Sequence, residues 1–234
     1  NMSQVLKMYA LRAGYSEDRI KIVELVDDDK SKNSPDRTNV LKTLFELARD
    51  ARKPEDTFVF YFTGHGSRDR KGMFLYGSGA DGVNDAYHIE FDLVVDRFEL
   101  SQAGTRLVFI DACQTLGGAG TLANLPTFLD KKELEKLTVP QGIAMFFASR
   151  PNEVAYIDRK KGIGYFTEHL AAALQGKVKE EILYADQLAN YLDKAVSENV
   201  AKDAKAEGRS RYQYPFFKVD QAKGRFHLYA NRGS

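Results

Sequence analysis

A histidine and a cysteine in this chain each follow a run of apolar residues. His65 comes shortly after the run at 58–62, and Cys113 comes shortly after the run at 107–110. A cysteine thiolate is a strong nucleophile, and a nearby imidazole can activate it and then protonate a leaving group. Because Cys113 is the only cysteine, it cannot form a disulfide within the chain. The two residues therefore predict a catalytic Cys/His dyad.

The elements that would position this dyad alternate between strands and helices. Apolar runs predict strands, and apolar residues at helical spacing predict helices. Such alternation is typical of parallel strands with helices on both faces, and the carboxyl ends of parallel strands meet at one edge of the sheet. We therefore expect His65 and Cys113 to lie close together. The predicted strands are 20–26, 57–62, 73–76, 105–110, 143–148, 214–219 and 225–229, and the predicted helices are 5–13, 40–47, 89–100, 165–174 and 185–201.

The composition excludes several classes of protein. The 234 residues suffice for one domain with a substantial core, and 43% hydrophobic with 29% charged residues is typical of globular proteins. A formal net charge of +1 does not indicate a nucleic-acid partner. No apolar run reaches the roughly 18 residues of a membrane span, so no membrane partner is expected. The lone cysteine suits a reducing, cytoplasmic location.

The motifs around the dyad resemble those of the caspase and metacaspase superfamily of cysteine peptidases. Residues 63–66 (Thr-Gly-His-Gly) and 111–114 (Asp-Ala-Cys-Gln) are similar to its histidine and cysteine motifs. Their separation of 48 residues is close to the roughly 50 that is typical of caspases. Residues 162–167 (Gly-Ile-Gly-Tyr-Phe-Thr) are similar to the region after the fifth core strand. Three positions depart from the family pattern. Asp111 stands where caspases have glutamine, Gln114 stands where metacaspases commonly have histidine, and Thr115 replaces the usual small residue before glycine.

The resemblance implies a caspase-like α/β fold, which is a three-layer sandwich with a mostly parallel central sheet and helices on both faces. We expect a single domain over residues 1–234. It implies a cysteine endopeptidase in which Cys113 attacks, His65 protonates the leaving amine, and the amides of Gly66 and Cys113 form the oxyanion hole. Family members begin with a core strand before the first helix. We therefore expect that strand, in an N-terminal segment or with a regulatory domain, to precede Asn1.

Asp111 is the residue expected to select the substrate. Side chains two apart in a strand share a face, so Asp111 and Cys113 should lie roughly 7 Å apart on one side. In the metacaspase branch the matching aspartate lines the pocket for an arginine or lysine before the scissile bond, and Thr63 has the analogous place near His65. Charge complementarity then predicts cleavage of proteins or peptides after Arg or Lys. The alternative role for Asp111 is to cap a helix or pair with an arginine.

The resemblance also implies where the substrate backbone binds. Residues 154–158 would pair with an extended peptide, with Ala155 and Tyr156 in contact with it. We expect no required cofactor or metal. Some metacaspases need calcium, and Asp81, Asp85 and Asp92 are candidate ligands, but the absence of acids from residues 116–123 argues against calcium dependence.

Three other functions stay open at this stage. The chain could be a caspase-like peptidase of different specificity, a caspase-fold pseudo-enzyme or scaffold, or a thiol acyltransferase. Substrate profiling, labelling of Cys113 and addition of an amine nucleophile would separate them. An enzyme that cleaves after basic residues should also process itself in its own basic segments, at 68–71, 131–136 and 159–161.

Overall fold

The computed structural model describes residues 1–27, 33–79, 87–112, 128–129, 131–136, 139–178, 181–219 and 226–228. Its main sheet has four strands, β1 (Thr57–Gly64), β5 (Thr105–Ala112), β6 (Ile143–Phe147) and β9 (Phe216–Val219), in that spatial order. The first three are parallel, and β9 runs antiparallel to β6. The carboxyl ends of β1 and β5 therefore lie at the same edge of the sheet.

Helices cover both faces of this sheet. On one face α2 (Arg37–Asp50) and α3 (Phe91–Glu99) pack against Val108 and Ile110 of β5. On the other, Leu107 and Phe109 pack against three helices, α1 (Met2–Arg12), α5 (Tyr165–Leu174) and α6 (Ala185–Ala206). All four strand residues are at most 1% exposed, as expected for a parallel strand that is buried on both faces. The predicted three-layer α/β sandwich is confirmed.

Smaller elements complete the fold. A three-stranded antiparallel sheet follows β1, and a two-stranded hairpin precedes α5. A short helix, α4 (Lys131–Lys136), lies between β5 and β6. The strands of the smaller sheet are β2 (Gly66–Asp69), β3 (Gly72–Tyr76) and β4 (His88–Glu90), and those of the hairpin are β7 (Ile157–Asp158) and β8 (Ile163–Gly164).

The amino end of β5 is fixed by the half-buried Arg106. Its guanidinium donates to the carbonyls of Phe98 (3.0 Å), Ser101 (3.2 Å) and Gly142 (3.3 Å), and also to that of Gln141. Burial lowers the pKa of Arg106. Backbone carbonyls thus surround this cation and tie β5 to the loops before β5 and β6.

Three sequence-based assignments differ from the structure. Residues 20–26 are extended but form no strand, because a strand needs a hydrogen-bonded neighbour; Ile20 and Leu25 instead pack against the two different core clusters. The first residues of the predicted helix 89–100 belong to β4, and α3 begins at Phe91. Of the predicted strand 225–229, the described residues show one bridge, from His227 to Tyr184.

The main sheet has two edge strands, and β1 is one of them. Within the described ranges β1 pairs only with β5 in the main sheet, and its side chains are mostly half-buried where those of β5 are fully buried. The expected core strand before Asn1 stays a prediction.

Candidate active site

His65 lies at the carboxyl end of β1, where the chain turns into β2. Its backbone carbonyl accepts a hydrogen bond from the Tyr76 amide (2.9 Å), and its side chain is half-buried. The residue before it, Gly64, is the register partner of Ala112, the last residue of β5. The structure therefore brings His65 to the edge where β5 ends.

Gly66 lets the chain pass closely over the end of β5. A Cβ at this position would lie 3.0 Å from the Ala112 Cβ and 2.9 Å from the Phe128 ring, which is too close for ordinary contact. Glycine is therefore required sterically where β2 begins. This packing holds the backbone of residues 65–66 against Ala112.

Cys113 lies outside the described residues. In the sequence it directly follows Ala112, which is the last residue of β5. The described part of the site thus consists of His65, Gly66 and the side chains around Asp111.

Asp111 is buried on the face of the sheet that packs against α5. It is 3% exposed and is the register partner of Thr63, which is exposed. Its Oδ2 accepts a hydrogen bond from the Thr167 hydroxyl (2.5 Å), and the Thr167 backbone also donates to this carboxylate. Gly164, which precedes α5, packs directly on the carboxylate, because a Cβ there would collide with Oδ2.

A chain of hydroxyl groups ends on the same carboxylate. Since Thr167 donates to Asp111, the Tyr61 hydroxyl donates to Thr167 Oγ1 (2.7 Å). Burial raises the pKa of Tyr61 to about 12, so this phenol keeps its proton. Thr63 also hydrogen-bonds to Tyr61. These side chains orient Asp111 from the β1 side.

The carboxylate of Asp111 has no cationic partner among the described residues. Burial raises its pKa to about 6, and the hydrogen bonds from Thr167 only partly oppose this effect. Its acceptor atoms lie at the amino-terminal end of α5, whose Gly164 N-cap has no side chain to satisfy the first amides. The helix end stabilises negative charge, but it supplies less than a full counter-charge. Asp111 therefore does cap a helix, and it is also a buried acid that a bound cation would stabilise.

The predicted substrate-binding segment lies beside α5. Ala155 is 1% exposed, and Tyr156 is half-buried just before β7. The Tyr156 amide donates to the Gln213 side chain (2.7 Å), and its carbonyl accepts from the Tyr165 amide (3.2 Å). Both backbone groups of Tyr156 are thus bonded to neighbouring parts of the chain.

The described residues contain no group of three or more acids, cysteines or histidines able to hold a metal. Asp92 lies in the first turn of α3, and Asp81 and Asp85 lie outside the described residues. His88 stacks on Phe74 (4.0 Å between centroids), which gives it a packing role. No described helix has the length and apolar character needed to span a bilayer.

Sequence reasoning missed four residues of this site. Thr167 and Gly164 belong to the 162–167 motif, from which the sequence predicts no role for either residue. A glycine followed by a hydroxyl residue at the start of a helix is the pattern that could have indicated them. No sequence pattern indicates Tyr61 or Gln213, because their hydrogen-bond partners are distant in the sequence. Tyr61 meets Thr167 because α5 packs on β1. Gln213 meets Tyr156 because the connection after α6 packs on the 148–156 loop.

Comparison with known proteins gives the family. The family model of the caspase domain matches residues 1–226. Metacaspase-1 of Botryotinia fuckeliana is 32% identical over 125 residues, which are 48% of this chain and 27% of that protein. Metacaspase-1 of Meyerozyma guilliermondii is 40% identical over 93 residues, covering 39% of this chain and 20% of that protein. The matched region is thus less than a third of the length of these relatives.

A solved structure supports the same fold. The crystal structure of caspase-1 from Spodoptera frugiperda matches with a TM-score of 0.57 at 15% identity, over 93% of this chain and 76% of that one. This likeness concerns the fold, and the family model adds the sequence evidence over nearly the whole chain. The chain therefore belongs to the caspase-domain family of cysteine peptidases.

Proposed function

We propose that this chain is a cysteine endopeptidase that cleaves peptide bonds after arginine or lysine. The Cys113 thiolate attacks the carbonyl carbon, the C–N bond breaks, and His65 protonates the leaving amine. Water then attacks the thioester, His65 accepts its proton, and the acid product leaves. The placement of His65 at the edge where β5 ends supports this dyad.

The backbone near His65 supplies the second part of the proposal. The amides of Gly66 and Cys113 would stabilise the oxyanion of the tetrahedral intermediate. The tight packing of Gly66 on Ala112 supports this role, because it holds residue 66 beside the end of β5.

The observation that carries the proposed specificity is the buried carboxylate of Asp111. It has no cationic partner among the described residues, and burial raises its pKa to about 6. A substrate arginine or lysine would supply the missing positive charge, with Thr63 lining the same pocket. An aspartate side chain would instead meet a like charge.

The substrate backbone would bind by strand addition to residues 155–157, with Ala155 and Tyr156 in contact with it. No cofactor or metal is part of this proposal. The proposed partners are proteins and peptides with exposed basic residues, and a cytoplasmic location stays a prediction from the lone cysteine.

The decisive experiment combines two variants with a substrate library. Wild type, Cys113→Ala and His65→Ala are assayed on a positional-scanning fluorogenic peptide library, with calcium and with a chelator. We expect hydrolysis after arginine or lysine by the wild type alone, with both variants folded as judged by circular dichroism. Undiminished turnover by Cys113→Ala would reject the dyad, and an inert wild type would favour a scaffold.

The same specificity predicts self-processing. Freshly purified wild type should carry nicks after basic residues that Cys113→Ala lacks, as measured by mass spectrometry. All three basic segments have local structure: Arg68 lies in β2, residues 131–136 form α4, and the Asp158 carboxylate accepts from the Lys160 amide (2.8 Å). We therefore expect cleavage in any of them only after local opening. Identical nicks in both proteins would point to a contaminating protease.

A further inference from the structure

Gln213 is a fully buried polar side chain close to the proposed substrate-binding segment. It lies in the connection 209–215, between α6 and β9, and is 0% exposed. Its Oε1 accepts from the Tyr156 amide (2.7 Å), and its Nε2 donates to the Ala148 carbonyl (2.9 Å). One side chain thus joins the end of β6 to the start of β7.

The bridge closes the loop formed by residues 148–156. Ala148 follows the last residue of β6, and Tyr156 precedes β7, so Gln213 spans the two ends of this loop. The side chain is closed to bulk solvent, so its two hydrogen bonds are buried. Two ring contacts flank it, with Arg211 over the Tyr156 ring (5.4 Å) and Arg150 over the Tyr214 ring (4.5 Å).

The bridge also decides which edge of the segment faces outward. Tyr156 uses its N–H on Gln213 and its C=O on the Tyr165 amide, so both groups point inward. In an extended chain successive residues direct these groups to opposite edges, so those of Ile157, the first residue of β7, point the other way. That outer edge is the one an extended substrate would meet.

We propose that Gln213 is a positioning residue that sets the register of the substrate-binding segment for peptide backbone. This inference rests on the proposed function and adds a residue to its binding site. Loss of the bridge leaves the Tyr156 amide and the Ala148 carbonyl without partners, and the segment can then rotate away from the orientation that pairs with a peptide. Binding of an extended peptide should suffer, whereas His65, which follows β1, and Asp111, which lies on β5, should keep their positions.

The test compares two substrates on the same enzymes. A blocked single-residue arginine amide uses the proposed Asp111 pocket, while a tetrapeptide ending in arginine also uses the outer edge of the segment at Ile157. For Gln213→Met, which keeps the length but not the hydrogen bonds, we expect kcat/KM on the tetrapeptide to fall about tenfold or more, mainly through KM. On the single-residue substrate the change should stay within about threefold.

Ser101→Ala is the matched control. Ser101 is also a buried bridging side chain, which donates to the Ala51 carbonyl (2.9 Å) and accepts from the Ala103 amide (3.1 Å), but it lies before the amino end of β5. Its loss should lower Tm without changing the ratio of the two kcat/KM values.

Gln213→Glu keeps the inference testable if the methionine variant does not fold. An ionised glutamate can accept from Tyr156 but cannot donate to Ala148, whereas its protonated form can do both. Burial favours the protonated form. For Gln213→Glu, the kcat/KM on the tetrapeptide relative to the single-residue substrate should therefore return towards the wild-type value as the pH falls. Protection of the Tyr156 amide from hydrogen exchange should return over the same pH range.

The outcomes separate this inference from the proposed function. A wild type that does not cleave the single-residue arginine substrate rejects the proposed function. An active wild type whose Gln213 variants lose both substrates equally, or lose neither, rejects the positioning role. A Gln213→Glu ratio that does not change with pH rejects it as well.

Discussion

The charge on Asp111 should control the preference for arginine in a pH-dependent way. Burial raises its pKa to about 6, and the free enzyme must ionise this group to pair with a cationic side chain. The substrate guanidinium stays charged at every accessible pH. Selectivity for arginine should therefore follow the titration of Asp111 alone.

The size of the effect follows from that pKa. With a pKa of about 6, roughly one molecule in ten carries the ionised carboxylate at pH 5, and nearly all carry it at pH 7.5. The ratio of kcat/KM for arginine over citrulline, its neutral isostere, should rise about tenfold over this range and then level off. In Asp111→Asn the ratio should be flat, and at pH 7.5 it should be about tenfold or more lower, because charge-assisted hydrogen bonds are roughly twice as strong as neutral ones.

The assay uses two fluorogenic peptides that differ only in arginine or citrulline before the scissile bond. Their ratio cancels the titration of Cys113 and His65, which both substrates share. A wild-type ratio that does not change with pH would refute the reasoning. If Asp111→Asn lost activity equally on both peptides, the carboxylate would be holding α5 in place and not selecting the substrate.

Two further predictions concern the surroundings of Asp111. Because its pKa is raised in the folded state, Asp111 favours folding at low pH and loses this contribution as the pH rises through about 6. Between pH 4 and 7 the wild type should therefore lose up to about 3 kcal/mol of unfolding free energy relative to Asp111→Asn. Urea unfolding at the two pH values measures this difference. Gly164→Ala should displace the carboxylate, since the new Cβ would collide with Oδ2, and should lower the arginine-to-citrulline ratio about tenfold at pH 7.5 with little change on citrulline. Unchanged selectivity would mean that α5 shifts to accommodate the methyl group.

Much of the fold could be predicted from local patterns. The helix at 165–174 was assigned with its observed bounds, and the strands at 57, 105 and 143 were assigned with their observed first residues, because buried parallel strands form continuous apolar runs. The segment 20–26 shows the limit of this reasoning. Its composition favours a strand, yet pairing depends on a neighbour that the local sequence does not specify.

Only part of the candidate site could likewise be predicted from the sequence. The position of His65 at a strand end follows from the apolar run before it. The burial of Asp111 under α5 does not, because it depends on Gly164 and Thr167 reaching it from more than 50 residues away. Alternation places Asp111 on a face of β5, but only the packed helix determines that this face is closed to solvent.

Strand β5 has an ionisable side chain near each end, half-buried Arg106 and buried Asp111, and the two respond differently to acid. Arg106 stays protonated and is held by carbonyl oxygens, which do not titrate in this range, so the attachment of the strand to the loops at its amino end is indifferent to pH. Asp111 at the other end changes its charge near pH 6. An acidic compartment would therefore leave this attachment of β5 intact and, on the proposed specificity, would make the enzyme less selective for arginine.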